Sequence, residues 1–179
     1  MCGIVGIFHY AEPDRPIDRD LLARMTHAIA HRGPDGEGFY IKDNLGFGHR
    51  RLSIVDLSPT GAQPMSNEDG TCWITYNGEF YNHASFRDRL SARGHRFRGP
   101  SDTETLLHLM EEAGPEALSE ATGIFGFAFW NSRTHRLTLA LSWVAEPSVQ
   151  SRAAPKRWRY KLRCGRRPRA GRVVRRLAG

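Results

Sequence analysis

Cysteine is scarce in this chain of 179 residues, with three at positions 2, 72 and 164. An odd and scattered set makes no disulfide framework, and its spacing fits no zinc motif, so no metal ligands are read from it. No run of 18 or more apolar residues occurs, which excludes a transmembrane helix. The opening MCGIVGIFHY lacks a basic segment ahead of its apolar stretch. A secretory signal is therefore not expected, and a cytoplasmic location follows as the default. No internal repeat is seen. What is present is ordinary: 40% hydrophobic, 25% charged and 10% aromatic residues, a mixture that argues against wholesale disorder and for one domain with a sizeable core.

Acidic residues are nearly absent from one part only. Residues 141–179 carry 12 Lys+Arg against the single acid Glu146, a net of +11, whereas residues 1–140 carry 14 against 18, a net of −4. All eight histidines precede residue 141. The overall charge of +7 would suggest an anionic partner such as nucleic acid, but the suggestion comes from the tail alone.

Within 1–140 the pattern alternates between strands and helices. The apolar, β-branched stretch 2–8 reads as a buried strand. Residues 18–30 read as a helix with Asp18 as N-cap and Gly33-Pro34 as its stop. Strands are expected at 38–41 and 45–54, a loop at 58–70, and a strand at 72–76 ending at Asn77-Gly78. Residues 83–93 suit a second helix stopped by Gly94. Ser101-Asp102-Thr103-Glu104 reads as a capping box opening a third. Residues 124–130 and 136–141 form a hairpin. Beyond Val144 no clean period survives.

Four features could carry chemistry. Cys2 becomes the terminal residue if the initiator Met is removed. It would then hold a nucleophilic thiol and, in its own α-amine of pKa about 7.7–8.0, a base; alternatively it is a small buried residue at a strand start. Asn77 and Gly78 offer two N–H donors to a developing oxyanion, each worth about 3–4 kcal/mol in the transition state; alternatively they are a hairpin turn. Arg51, in His49-Arg50-Arg51, is a fork for a carboxylate or part of an exposed charged face. Asp102 complements a helix dipole or binds an ammonium group. Together they describe an α-amino acid with a cleavable side-chain carbonyl, for which glutamine is the natural candidate.

The motifs MCGIVGIF (1–8), HRGPDGEG (31–38), GHRRLSIVDLSPTGAQPM (48–65), YNGEFYN (76–82), SDTE (101–104) and GIFGFAFW (123–130) occur in one order. On them, residues 1–140 resemble the class II glutamine amidotransferase domain, an N-terminal-nucleophile hydrolase. Within that class they resemble the amino-terminal domain of glutamine-hydrolysing asparagine synthetases. The resemblance implies an α+β fold, a four-layer α/β/β/α sandwich of two antiparallel sheets. It implies Cys2 as nucleophile, Arg51 as carboxylate fork with Leu52, Ser53, Ile54 and Val55 as the neighbouring contact strand, and Asn77 and Gly78 as oxyanion hole. Glu79 and Asp102 stand around the substrate's amino group, and the HRGPD loop lies nearby. The substrate is L-glutamine, and hydrolysis itself needs no metal or other cofactor. In the family, ammonia passes to a synthetase domain or subunit where ATP and magnesium activate aspartate; no such pyrophosphate loop is found here.

After residue 140 the family's Arg-Asp-x-x-Gly continuation is replaced by Ala140-Leu141-Ser142-Trp143. Ten Arg, five Ala, three Gly and three Pro follow among 39 residues, a mixture typical of a shifted reading frame. Residues 141–179 are thus expected to be disordered and out of frame. The amidotransferase fold would then be incomplete at its C-terminal end, with exposed sheet edges and low solubility. Other readings are a nucleic-acid-binding tail, disfavoured for lack of aromatic interleaving, and a docking arm of a free-standing glutaminase subunit. Other class II amidotransferases, or a binding protein without turnover, remain as alternatives in function.

Overall fold

The computed structural model describes residues 2–53, 58–143, 160–162 and 171–178. The strands are β1 (Gly3–Phe8), β2 (Gly36–Lys42), β3 (Leu45–Arg51), β4 (Met65–Ser66), β5 (Cys72–Phe80), β6 (Gly123–Asn131), β7 (Arg136–Trp143), β8 (Tyr160–Leu162) and β9 (Gly171–Ala178). The helices are α1 (Arg19–Ala28), α2 (His83–Ala92) and α3 (Asp102–Ala113). One antiparallel sheet has the order β1-β3-β2 and the other β4-β5-β6-β7-β9-β8.

Alternation along β3 decides how the layers stack. Leu45, Phe47 and His49 are buried and point between the two sheets. There Leu45 and Phe47 join Ala128, Trp130 and Leu137, flanked by Phe8, Tyr40 and Trp73. On the other face α1 lies against β3 and β1, with Thr26 directly over Gly48. The second sheet uses its outer face for the larger core. Ile74, Tyr76 and Phe80 of β5 and Phe125, Phe127 and Phe129 of β6 pack with Phe86 and Leu90 of α2 and Leu106, Leu107 and Met110 of α3. Each such side chain contributes about 1.5–3 kcal/mol by leaving water. The layers are therefore α1, three-stranded sheet, six-stranded sheet, α2 with α3, the expected α/β/β/α sandwich.

Three local readings need correction. The strand expected to end at Asn77-Gly78 runs on to Phe80, paired with β6 through Phe80↔Gly123. Asn-Gly is no turn here because Gly78 takes a φ of 151° inside a continuous ladder. The strand expected over 45–54 ends at Arg51; Ile54 and Val55 lie outside the described residues. The capping box is only half formed. The Ser101 hydroxyl accepts from Thr103 N at 3.1 Å, but the buried Glu104 turns to the preceding loop and accepts from Arg98 N at 2.9 Å and Gly99 N at 3.1 Å. The Asp18 cap forms as expected, accepting from Leu21 N at 2.9 Å.

The tail also contributes backbone. β9 pairs with β7 from Arg136↔Ala178 to Trp143↔Gly171, and β8 pairs with β9. The edge of β7 that sequence reading leaves open is thus taken up by main-chain pairing, which requires no particular side-chain period. The disorder expected for 141–179 falls, for 144–159, 163–170 and 179, outside the described residues.

Candidate active site

Contacts between the two sheets fix which residues share an end of the sandwich. Near one end Phe8 meets Trp130, with ring centroids 5.6 Å apart, and Tyr40 stacks on Trp73 at 4.0 Å. Further along, His49 Nδ1 lies 3.2 Å from Thr75 Oγ1. Tyr40 of β2 is the partner of Phe47 of β3, and Trp130 of β6 that of Trp73 of β5. Successive residues of β3 therefore meet successive residues of β5, and the strands advance together. The next step of each, with strand period two, is Arg51 and Asn77. The register Gly3↔Arg50 brings Cys2 to the same end. Residues 2, 51 and 77, remote in sequence, are gathered by topology alone.

Cys2 immediately precedes β1 and is half-buried. Its sulfur accepts from Leu52 N at 3.4 Å and lies 3.7 Å from Leu52 O. The HRGPD segment fastens this corner. Arg32 Nε donates to Cys2 O at 3.2 Å, and Arg50 Nε donates to Gly33 O at 3.1 Å. Asp35 N donates to Arg51 O at 3.0 Å, and the Asp35 carboxylate accepts from Ser53 N at 2.8 Å. Sequence reading flagged this motif without a role. In the fold it ties the main chain of residues 2, 51 and 53 together.

The three basic residues 49–51 part company through strand alternation. His49 is buried between the sheets, Arg50 pairs with Glu37 at 2.8 Å, and Arg51 donates to Ser58 O at 3.0 Å. Burial, and then the Arg51 charge, push the His49 imidazole down to about 4. It is therefore neutral at physiological pH, and its Nε2 has no hydrogen-bond partner among the described residues.

Asn77 and Gly78 are half-buried in β5, and Glu79 is exposed. A Cβ on residue 78 would lie 2.2 Å from Ile124 O and 2.4 Å from Phe125 Cα. With φ of 151°, the position accepts only glycine without strain. Asp102 opens α3 and accepts from Tyr76 Oη at 2.8 Å and from Phe80 N at 3.0 Å. These bonds clamp β5 on both sides of Asn77-Gly78. Burial, then the Asp102 charge, push the Tyr76 phenol well up, so it remains a donor to that carboxylate. Gln63 completes the support: its Oε1 accepts from Tyr76 N at 2.6 Å, and its Nε2 donates to Thr103 Oγ1 at 3.4 Å. Sequence reading missed Tyr76 and Gln63. Only the YNG and GAQPM wording pointed toward them.

A family model described as a glutamine amidotransferase domain matches residues 1–143, ending three residues past the charge break. The chain is 44% identical over 138 residues to asparagine synthetase [glutamine-hydrolyzing] 1 of Bacillus subtilis, covering 76% of this chain and 22% of that protein. It is 40% identical over 132 residues to asparagine synthetase B [glutamine-hydrolyzing] of Escherichia coli, covering 74% and 23%. The chain thus spans under a quarter of the length of these relatives. In fold it is similar to the solved glutamine phosphoribosylpyrophosphate amidotransferase from B. subtilis, with a TM-score of 0.61 over 96% of this chain and 41% of that one at 20% identity.

Proposed function

The chain belongs to the glutamine amidotransferase domain family, and from that premise we propose that it releases ammonia from the side-chain amide of L-glutamine with Cys2 as nucleophile. The observation that supports this reading is the Cys2 sulfur against Leu52, next to Arg51, at the end of the sandwich toward which β5 runs from Thr75 to Asn77. Removal of Met1 leaves the Cys2 α-amine to take the thiol proton, directly or through a water. The thiolate attacks the amide carbon. The oxyanion of the tetrahedral adduct is held by the Asn77 side-chain amide and the Gly78 N–H. The α-amine returns its proton to the leaving nitrogen, ammonia departs, and a γ-glutamyl thioester remains. Water, deprotonated by the same amine, then releases glutamate and the thiol.

Arg51 pairs with the substrate carboxylate, and Leu52 and Ser53 line the adjoining wall. Asp102 and Glu79 supply negative charge near the substrate ammonium. Asp102 also positions the donors through its clamp on Tyr76 and Phe80. No metal or other cofactor takes part in these steps.

The relatives' names carry the reading further. Ammonia made here serves a synthetase unit, in the same polypeptide or on a partner, that amidates aspartate using ATP and magnesium. A cytoplasmic location suits these substrates. The test is glutamine turnover by tag-free protein, with glutamate and ammonia quantified separately. Equal release of both, abolished in Cys2→Ala, is the expected result. Unchanged release in Cys2→Ala removes Cys2 from the mechanism.

A further inference from the structure

Well along α3 from Asp102 lies a second cluster that the glutamine chemistry leaves unused. His108 and Glu111 stand three apart on α3 and so share a face. Glu68 reaches them from the turn between β4 and β5, and His95 from the loop after α2. One atom from each of the four lies within 4.8 Å of every other. His108 Nδ1 is central, at 3.1 Å from His95 Nδ1, 3.4 Å from Glu111 Oε2 and 3.9 Å from Glu68 Oε2. Ligand atoms about 2.0–2.1 Å from a tetrahedral ion stand about 3.4 Å apart, so these separations already approximate one coordination shell.

Outer partners aim three of the four groups. Arg96 N donates to Glu68 Oε1 at 3.0 Å, which leaves Oε2 turned to the centre. Asn67 Nδ2 donates to Glu111 Oε1 at 2.8 Å with the same effect. His95 Nε2 lies 3.2 Å from the Glu112 carboxylate. A carboxylate can only accept, so in the tautomer that binds an ion this contact takes the Nε2 proton and leaves the Nδ1 lone pair to the centre. Glu112 is itself paired with Arg93. A carboxylate holding the far nitrogen of an inward-facing imidazole is the arrangement found around metal-bound histidines. His108 is buried, and the Phe97 ring meets it edge-on with centroids 4.9 Å apart. Glu68 is exposed on its outer side and gives an ion a way in.

We propose that Glu68, His95, His108 and Glu111 form a structural site for one divalent cation of the zinc class. Two neutral imidazoles and two carboxylates match the preference of such ions for mixed nitrogen and oxygen ligands, and their summed charge neutralises a dication. The ion joins the middle of α3 to the β4–β5 turn and to the loop that precedes the helix. The four ligands span positions 68 to 111 with no short motif, which is why sequence spacing gives no hint of the site.

The test is cobalt(II) and zinc(II) titration of the full, tag-free chain after chelator treatment, with folding monitored by far-UV circular dichroism. The expected result is one cobalt per folded chain, giving the visible bands of a four-coordinate ion without a sulfur-to-cobalt charge-transfer band. The absence of that band excludes Cys2, Cys72 and Cys164 as ligands. Zinc should displace the cobalt and raise Tm. Glu68→Gln, at an exposed position, should weaken binding at least about tenfold, and Glu112→Gln, which touches His95 but none of the other three ligands, about ten- to a hundredfold. A folded wild-type chain that takes up no stoichiometric cobalt overturns the proposal. So does binding that is unchanged in both variants. Glutamine hydrolysis is not an input to any of these readings.

Discussion

Acid should weaken this fold through one histidine. His49 is about 1% exposed, sits between the sheets against Thr75, and has its pKa lowered from 6.5 to about 4 by burial and the Arg51 charge. In the unfolded chain the same imidazole titrates near its ordinary value, so the unfolded state takes up the proton first. The stabilisation is complete above pH 6.5 and is lost as pH falls toward 4, below which both states are protonated and this group adds no further slope. The shift corresponds to about 3 kcal/mol over the whole window, a large share of the roughly 5–15 kcal/mol that holds a domain together. Urea unfolding followed by the fluorescence of Trp73 and Trp130, both in or against the inter-sheet core, reads it directly. Melts at pH 7, 6, 5 and 4.5 on wild type and His49→Gln isolate the contribution of this imidazole, because the other histidines contribute equally to both. The difference in stability between the two proteins should shrink by about 2–3 kcal/mol as pH drops. Parallel pH profiles would refute the assignment of a neutral, desolvated imidazole between the sheets.

Three further substitutions probe the site. Gly78→Ala should abolish glutamine hydrolysis and cost about 1–3 kcal/mol or more, because the new Cβ meets Ile124 O at 2.2 Å. Wild-type turnover in that variant would contradict the close approach. Asp102→Asn keeps the shape but removes the charge that Tyr76 and Phe80 donate to. A loss of about 1–3 kcal/mol in urea melts is expected, and no loss would mean that the clamp is idle. Arg51→Met should raise the KM for glutamine about ten- to a hundredfold, the value of a charged hydrogen-bonded pair, with a smaller change in kcat. An unaltered KM would remove Arg51 from carboxylate binding.

What the sequence reveals, and what it hides, divides along the range of the interactions. Local signals read well: the Asp18 cap, the helices over 83–92 and 102–113, and the β6–β7 hairpin all follow from periodicity and turn residues. Asn77-Gly78 misleads because Asn-Gly is the usual hairpin signal, and only the closeness of β6 reveals that glycine is there for room. Glu104 misleads in the same way: its capping partner in sequence loses to the N–H groups of Arg98 and Gly99 in space. The layered sandwich was legible through the family motifs, since alternation in single strands does not say which sheet each joins. The splitting of His49, Arg50 and Arg51 among a core, an ion pair and a loop clamp needed the strand register. The gathering of Cys2, Arg51 and Asn77 needed the His49–Thr75 contact between sheets. The Asp102 clamp and the Glu68–His95–His108–Glu111 cluster lie beyond sequence reading for the same reason: their partners come from different elements.

An activated Cys2 thiol in a glutamine site should react with an electrophile shaped like glutamine. The most direct measurement treats the folded, tag-free protein with a glutamine-like diazoketone and locates the adduct by mass spectrometry, with and without excess glutamine. The expected result is loss of Met1, a single adduct on Cys2 and protection by glutamine, while Cys72, buried and with its thiol pushed up to about 12, remains unlabelled. A folded protein that leaves Cys2 unmodified, or that is labelled equally with and without glutamine, would contradict it.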